Sequence, residues 1–385
     1  MPTRNAPSAL PTTLRFIASR LKRRIRGEVD VPDTAAFRRR VDAVLGTLSA
    51  QVQRCDWVTL PGGEPGWKPA GVIFSANERV TVLAHGRVYV SRGLDVGFGP
   101  QVGLWYRIGN APVTKLIGEG CTIDTGAGGA LQLTCKPSGE FADRNGEFDP
   151  AIVREALTGE FVVAVIRWRD DAQAALQAAS KHDAALFEPV LQRMQQATRP
   201  PAGWDYLWRL GDGEIYRPDS DGRALCCDTH ADVGIIKFPV RRALTSASTL
   251  SWAWCVEQLP SELAEHIQPT HDYLSIAVEF DNGLDLTWMW SAALPVDTIF
   301  QCPLPWWDQR ETHWVVRSGT QELGQWLNEK RDLVADYRRA IGGELPQEIV
   351  AVWLIANTAF QRGVGKCRYR SIVVADTDGR AVVQA

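Results

Sequence analysis

Phe161-Val-Val-Ala-Val-Ile-Arg-Trp168 is apolar at every position but one and rich in β-branched side chains, which favour a pleated strand. Upstream of it, Arg79-Val-Thr-Val-Leu83 and Gly129-Ala-Leu-Gln-Leu-Thr134 read the same way, and Gly-, Pro- and Asn-rich turns separate them. Short strands at this spacing, from Trp57 to Trp168, predict a sandwich or jelly roll. Downstream, Asp170 to Arg199 reads as helix through Ala174, Leu176, Ala179, Leu186, Val190 and Met194, with Pro189 expected to kink or divide it. Arg199-Pro-Pro-Ala-Gly203 then signals a linker.

Past the linker the pattern is again β, with strands expected at 250–256, 273–280, 284–290, 313–317, 349–355 and 368–374. One helix, Gln321 to Ile341, is expected to interrupt them, burying Leu323, Trp326, Leu327, Leu333, Val334 and Tyr337 and ending at Gly342-Gly343. The chain start is helical and basic. Seven cations lie between Met1 and Arg26, and Leu14, Ile17, Leu21 and Ile25 form one apolar stripe. The expectation is a helix packed on the body with a solvated basic face. Weak contact of residues 1–26 with an anionic membrane surface is the alternative. After Val31-Pro32, Asp33 or Thr34 can cap a second helix carrying Phe37, Val41, Val44, Leu45 and Leu48. The fold class is therefore mainly β: two β-sandwich or jelly-roll domains (55–168 and 204–385), a helical N-terminal arm (1–54) and a helical connector (169–203).

The 385-residue chain has ordinary globular composition, which excludes a disordered or fibrous protein. A net charge of −3 gives no electrostatic case for nucleic acid. No apolar run has the length of a transmembrane helix. The start MPTRNAPSALPTTLRFIASRLKRR lacks the apolar core of a secretory signal, so the expected compartment is the reducing cytoplasm and the eight cysteines are expected to be free thiols. None of them forms a C-x-x-C pair backed by a second pair or a His pair, so neither a structural metal nor another cofactor is expected. Oligomeric state is left open.

The first β region resembles the PA-I-like galactophilic lectins in Val80-Thr-Val-Leu-Ala-His-Gly86, Gly99-Pro-Gln101, Tyr106-Arg-Ile-Gly109 and the turn Pro137-Ser-Gly-Glu-Phe-Ala-Asp-Arg-Asn-Gly-Glu-Phe148. The resemblance implies a small β-sandwich that binds galactosides through one calcium ion held on that turn. Carried over by position, the calcium turn becomes Lys136, Glu140, Asp143 and Arg144. Calcium needs six to eight oxygen ligands, and two cations stand where the family has an acid and an amide. Glu140 and Asp143 stay as ligand-binding candidates, with no calcium expected.

The C-terminal half resembles a bacterial family known only as domain of unknown function 3047. The matching segments are Ser248-Thr-Leu-Ser-Trp-Ala-Trp254, His271-Asp-Tyr273, Trp288-Met-Trp290 and Trp326-Leu-Asn-Glu-Lys-Arg-Asp-Leu-Val-Ala-Asp-Tyr-Arg338. This implies a jelly roll and no established activity. Where the family has a run of acids, the chain reads Ile355-Ala-Asn-Thr-Ala-Phe-Gln-Arg-Gly363, leaving Asn357 and Thr358.

Eleven of the fifteen Trp lie in the last 185 residues. Trp252/Trp254 and Trp288/Trp290 are i, i+2 pairs, so each pair shows both rings on one strand face. They make either an aromatic platform for sugar or apolar ligands or a Trp-lined core. Trp306-Trp307, in a Pro-rich loop, is the clearest ligand-contact candidate. His230, Asp232, His271, Asp272, Glu329 and Asp336 are the ionisable candidates. His271-Asp272 could supply an acid or base at a sandwich mouth. Glu329 and Asp336, placed on the expected helix, would be neutralised by Arg331, Arg338 or Arg339 or would form a carboxylate pair. No G-x-S-x-G, P-loop, dinucleotide or H-E-x-x-H motif occurs. The sequence reads best as a binder of a glycan or a partly apolar small molecule. One alternative is a hydrolase, lyase or cyclase using His271, Asp272 or Glu329. Another is a structural subunit of a protein assembly.

Overall fold

The strand that contains Phe161–Trp168 is covered on both faces, which is why its sequence is apolar throughout instead of alternating. The computed structural model describes residues 4–29, 31–136, 157–195, 199–211, 214–304, 307–377 and 379–384. The chain divides into two compact units, Arg20–Thr198 and the pair of segments Met1–Ser19 and Arg199–Ala385. It is mainly β, as the strand spacing predicts, and each unit contains a pair of sheets.

Helices α1 (Ala9–Ile25) and α2 (Thr34–Thr47) come first, then strands β1 (Val52–Pro61), β2 (Lys68–Phe74), β3 (Arg79–Ser91) and β4 (Val96–Phe98). A short α3 (Pro100–Gly103) precedes β5 (Leu104–Ile108), β6 (Thr114–Lys115), β7 (Gly120–Asp124), β8 (Gly129–Cys135) and β9 (Thr158–Trp168), and α4 (Ala172–His182) and α5 (Ala184–Gln195) follow. One sheet runs β1-β9-β3-β4, with β7 added on β3, and the other runs β2-β8-β5-β6. Between them Leu60, Val82, Leu104, Leu131, Phe161 and Val163 form the sandwich core. The opposite face of β9, through Val162, Ala164, Ile166 and Trp168, packs on Val41 and Leu45 of α2, Leu176 of α4 and Phe187 of α5. The helices therefore complete this sandwich as a third layer.

Of the helical expectations up to α5, two need correction and one, the cap of α2, is met. The expected helix at 170–199 does divide, but at Asp183, whose carboxylate accepts the Leu186 N–H; Pro189 sits inside α5. Asp33 is the cap of α2, accepting the Ala36 N–H at 2.8 Å. In α1 the stripe that was expected to pack is turned outward. Leu14, Leu21 and Ile25 are exposed and Ile17 is half-buried, while Phe16, outside the stripe, is buried.

The other unit contains β10 (Asp205–Arg209), β11 (Tyr216–Pro218), β12 (Leu225–His230), β13 (Val233–Ala243), β14 (Thr249–Gln258), β15 (Tyr273–Phe280), β16 (Asp285–Ser291) and β17 (Ile299–Gln301). It continues with β18 (Glu311–Ser318), β19 (Leu327–Asp332), α6 (Leu333–Ala340), β20 (Glu348–Asn357), β21 (Val364–Asp376) and β22 (Gly379–Gln384). A seven-stranded sheet in the order β10-β13-β20-β15-β16-β18-β17 faces a six-stranded one in the order β11-β12-β21-β14-β19, with β22 on β21. Five of the six expected strands lie within these elements, and the sixth, 284–290, begins one residue before β16. The expected helix 321–341 does not form as one element. Residues 327–332 are a strand paired antiparallel with Thr249–Trp254, and only Leu333–Ala340 is helical. Sheet pairing overrides the helical periodicity, and Asp332 starts α6 by capping the Ala335 N–H at 2.9 Å.

Candidate functional site

The four strand tryptophans fill the space between the two sheets. Trp252, Trp254, Trp288 and Trp290 are all essentially closed to solvent. Trp252 meets Trp288 at 6.0 Å between ring centroids, and Trp254 meets Trp290 at 5.6 Å. The aromatic platform is thus corrected to the Trp-lined core, because β14 and β16 turn these rings toward each other across the sandwich. Trp306 lies outside the described residues, as do Glu140, Asp143 and Arg144. Trp307 is half-buried, edge-on to Trp353 and beneath the Arg310 guanidinium.

The acid/base candidates do not converge. Glu329 sits on β19 and binds Arg317 at 2.6 Å. Asp336, on α6, is held by Arg331 and accepts the Trp288 indole N–H at 3.1 Å; burial raises its pKa. Glu329 and Asp336 therefore do not share a helix face, and Arg331 neutralises Asp336 as anticipated. Asp272 is fully buried and accepts the backbone N–H groups of Phe360 and Gln361, which makes it a loop clamp. His230 is exposed at the end of β12, and Asp232 caps the Gly211 and Val233 N–H groups. Asn357 donates to the His271 carbonyl, and Thr358 binds the backbone of Asp232.

His271 belongs to a different group. Side chains alternate along a strand, so the residues of β15, β16 and β18 that skip the Trp core point to the other face of the seven-stranded sheet. Those residues are Tyr273, Asp285, Thr287, Glu311 and His313, and the parallel pairing of β16 with β18 sets Asp285 beside Glu311 and Thr287 beside His313. The β17–β18 hairpin register places Cys302, which follows β17, opposite Glu311, with the Cys302 N–H donating to the Glu311 carbonyl at 3.0 Å. The loop before β15 contributes His271. One ligand-type atom each from His271, Cys302, Glu311 and His313 falls within 4.8 Å of the other three, and all four residues are buried.

The local bonding fixes what these groups present. His271 Nδ1 lies 2.6 Å from the Glu265 carbonyl, which can only accept, so Nδ1 carries the proton and Nε2 is left with its lone pair. That Nε2 faces Cys302 Sγ at 3.5 Å. Burial, reinforced by His313, lowers the His271 pKa to about 3, so the imidazole is neutral. Glu311 accepts the Tyr273 hydroxyl at 3.1 Å and the Thr287 hydroxyl at 3.3 Å. Burial alone would raise its pKa, but the neighbouring His313 outweighs that and holds it below the usual range. Burial pushes the Cys302 thiol well up, and burial next to Glu311 does the same to Asp285. His313 stacks on Phe300 at 4.9 Å, and neither of its ring nitrogens has a hydrogen-bond partner.

Of this group the sequence singled out only His271. Cys302, Glu311 and His313 were missed, although Glu311-Thr-His313 is an i, i+2 pair that a strand turns to one face.

Residues 212–373 match the family described as protein of unknown function, DUF3047. The C-terminal half thus resembles that family, as its Trp-rich blocks imply. No curated protein matches the chain. Among solved structures, the chain is similar to the EclA N-terminal domain, a PllA-like lectin, with 21% identity over 29% of this chain and 94% of that one and a TM-score of 0.23. It is also similar to the xyloglucanase domain of NopAA, a type three effector from Sinorhizobium fredii, in complex with cellobiose. That match has 10% identity over 46% of this chain and 95% of that one, with a TM-score of 0.30.

Proposed function

We propose that the chain binds carbohydrate through its Arg20–Thr198 sandwich, as PA-I-like lectins do, but without their calcium ion. The supporting observation is where the resembling segments meet. Gly99-Pro-Gln101 leads into α3, and the Gly103 carbonyl at its end accepts the Lys136 N–H at 2.9 Å. Lys136 is the residue from which the ligand-bearing turn of the resemblance departs, and its carbonyl accepts the Trp105 indole N–H at 2.7 Å. The Lys115 ammonium is buried beside them, donating to the Gln101 carbonyl at 2.5 Å and the Leu116 carbonyl at 2.9 Å. Ammonium and guanidinium groups repel a metal ion but donate hydrogen bonds to sugar hydroxyls. The enzyme alternative gains no support from His271, Asp272 and Glu329, since two are fully buried and the third is ion-paired in the opposite sheet. Trp-rich surfaces are not part of this proposal.

The test is a glycan array with the full chain, followed by calorimetry on the best galactoside in calcium and in EDTA. Sugar binding unchanged by EDTA is the expected result. Absence of binding to any arrayed sugar overturns the reading, and binding abolished by EDTA overturns its calcium-free part.

A further inference from the structure

We propose that His271, Cys302, Glu311 and His313 bind one divalent transition-metal ion of the zinc class, as a closed structural site in the C-terminal unit. The site is independent of the carbohydrate reading, which concerns the other unit.

The donor set is the first argument. Two imidazoles, one thiol and one carboxylate supply two nitrogens, one sulfur and one oxygen, and four such ligands complete a tetrahedral zinc shell. The sulfur disfavours calcium and magnesium, which take oxygen. With Zn–S about 2.3 Å and Zn–N about 2.0 Å, tetrahedral donors stand roughly 3.3–3.6 Å apart. Cys302 Sγ lies 3.5 Å from His271 Nε2, and His313 Nε2 lies 3.6 Å from Glu311 Oε1. The N···O contact is long for a hydrogen bond, the S···N contact is not, and both distances match edges of a coordination tetrahedron.

The second argument is His313. An imidazole at 0% exposure with neither nitrogen hydrogen-bonded forfeits the bonds it would make in water, a cost of about 1–3 kcal/mol for each such group. An ion between the four side chains would satisfy one of its two nitrogens, the Nε2 that faces Glu311. Third, the supporting contacts have the form that metal ligands require. His271 gives its far N–H to a backbone carbonyl, and the Tyr273 hydroxyl orients Glu311. Fourth, the charges close. One thiolate and one carboxylate neutralise a divalent cation, so a dry site holds no net charge. Binding converts the Cys302 thiol to a thiolate and releases its proton to solvent. The ion would tie together the loop before β15, the end of β17 and β18, three segments separated in sequence.

The full chain is unfolded and refolded with Zn²⁺ or Co²⁺, freed of excess metal, and assayed for metal content and near-ultraviolet absorption. About one ion per chain is expected, with a thiolate-to-cobalt charge-transfer band. Cys302→Ser, nearly isosteric, should lose the band, and Cys255→Ser, at a buried thiol elsewhere, should keep it. Tyr273→Phe should bind metal about 10–100-fold more weakly. Wild-type chain that refolds and retains no stoichiometric metal overturns the proposal. Retention of the metal and the band by Cys302→Ser does so as well.

Discussion

Trp252 and Trp254 bury their indole N–H groups without a hydrogen-bond partner, whereas Trp288 donates to Asp336 and Trp290 to the Gly319 carbonyl at 2.9 Å. Replacement by Phe leaves a similar void at each position, so the hydrogen bond decides the difference. Trp288→Phe should therefore cost about 1–2 kcal/mol more than Trp252→Phe in urea denaturation. Equal losses would mean that the indole bond carries no net stability. The i, i+2 spacing made the shared strand face of these rings readable but not whether solvent or another sheet lay over it, because tryptophan suits both. Glu265 offers a second test. Burial raises its pKa to about 8, against which the Ser291 hydroxyl and the Ala292 N–H at 2.6 Å act only in part. A carboxyl raised in the folded state favours folding below its unfolded pKa, and that contribution is lost as pH rises from about 4.5 toward 8. Glu265→Gln removes the titration, so stability measured from pH 5 to pH 8 should fall less steeply in the variant, by on the order of a few kcal/mol across the window.

Elements were readable where one influence dominated and misread where two competed. The six C-terminal strands and the apolar β9 follow from β-branched and aromatic runs, which no helical pattern contradicted. Residues 321–341 satisfy a helical period, yet Gly324 adopts a φ of +77° and Leu327–Asp332 pairs along β14, which exchanges local propensity for sheet hydrogen bonds. The helix that remains is short, so its cap carries much of its stability. Asp332→Ala, which removes the acceptor for the Ala335 N–H, should cost about 1 kcal/mol in thermal or urea unfolding. Asp33→Ala, at the start of α2, should cost a similar amount by the same measurement. For α1, periodicity located an apolar stripe but carried no information about its direction. Leu14 and Leu21 face outward while Phe16 is buried, because burial depends on what packs against the helix.

At the scale of the molecule, each unit has its own apolar core, one around Phe161 and one around the four tryptophans. The Arg20–Thr198 sandwich was readable because its strands are short β-branched and apolar runs set off by turn residues. The buried quartet was not, because its members span residues 271 to 313 and His271 reaches the other three only through a sheet order that pairs β16 parallel with β18. Sequence spacing looks for metal ligands in short motifs, and here the sheet supplies the proximity. If the quartet holds a metal, its effect should be confined to the unit that contains it. Chain refolded with a chelator should unfold earlier by tryptophan fluorescence, a probe weighted to the C-terminal unit by eleven of the fifteen Trp. Metal present at a thousandfold over its dissociation constant contributes about 4 kcal/mol, which for a unit of this size shifts the midpoint by on the order of 10 °C. Sugar binding, proposed for the other unit, should survive at temperatures below that transition. Cys302→Ser should reproduce the shift without a chelator, and adding Zn²⁺ to it should restore little, whereas wild-type chain refolded with Zn²⁺ recovers the full midpoint. A midpoint indifferent to metal in both proteins would leave the tetrahedron without a structural role.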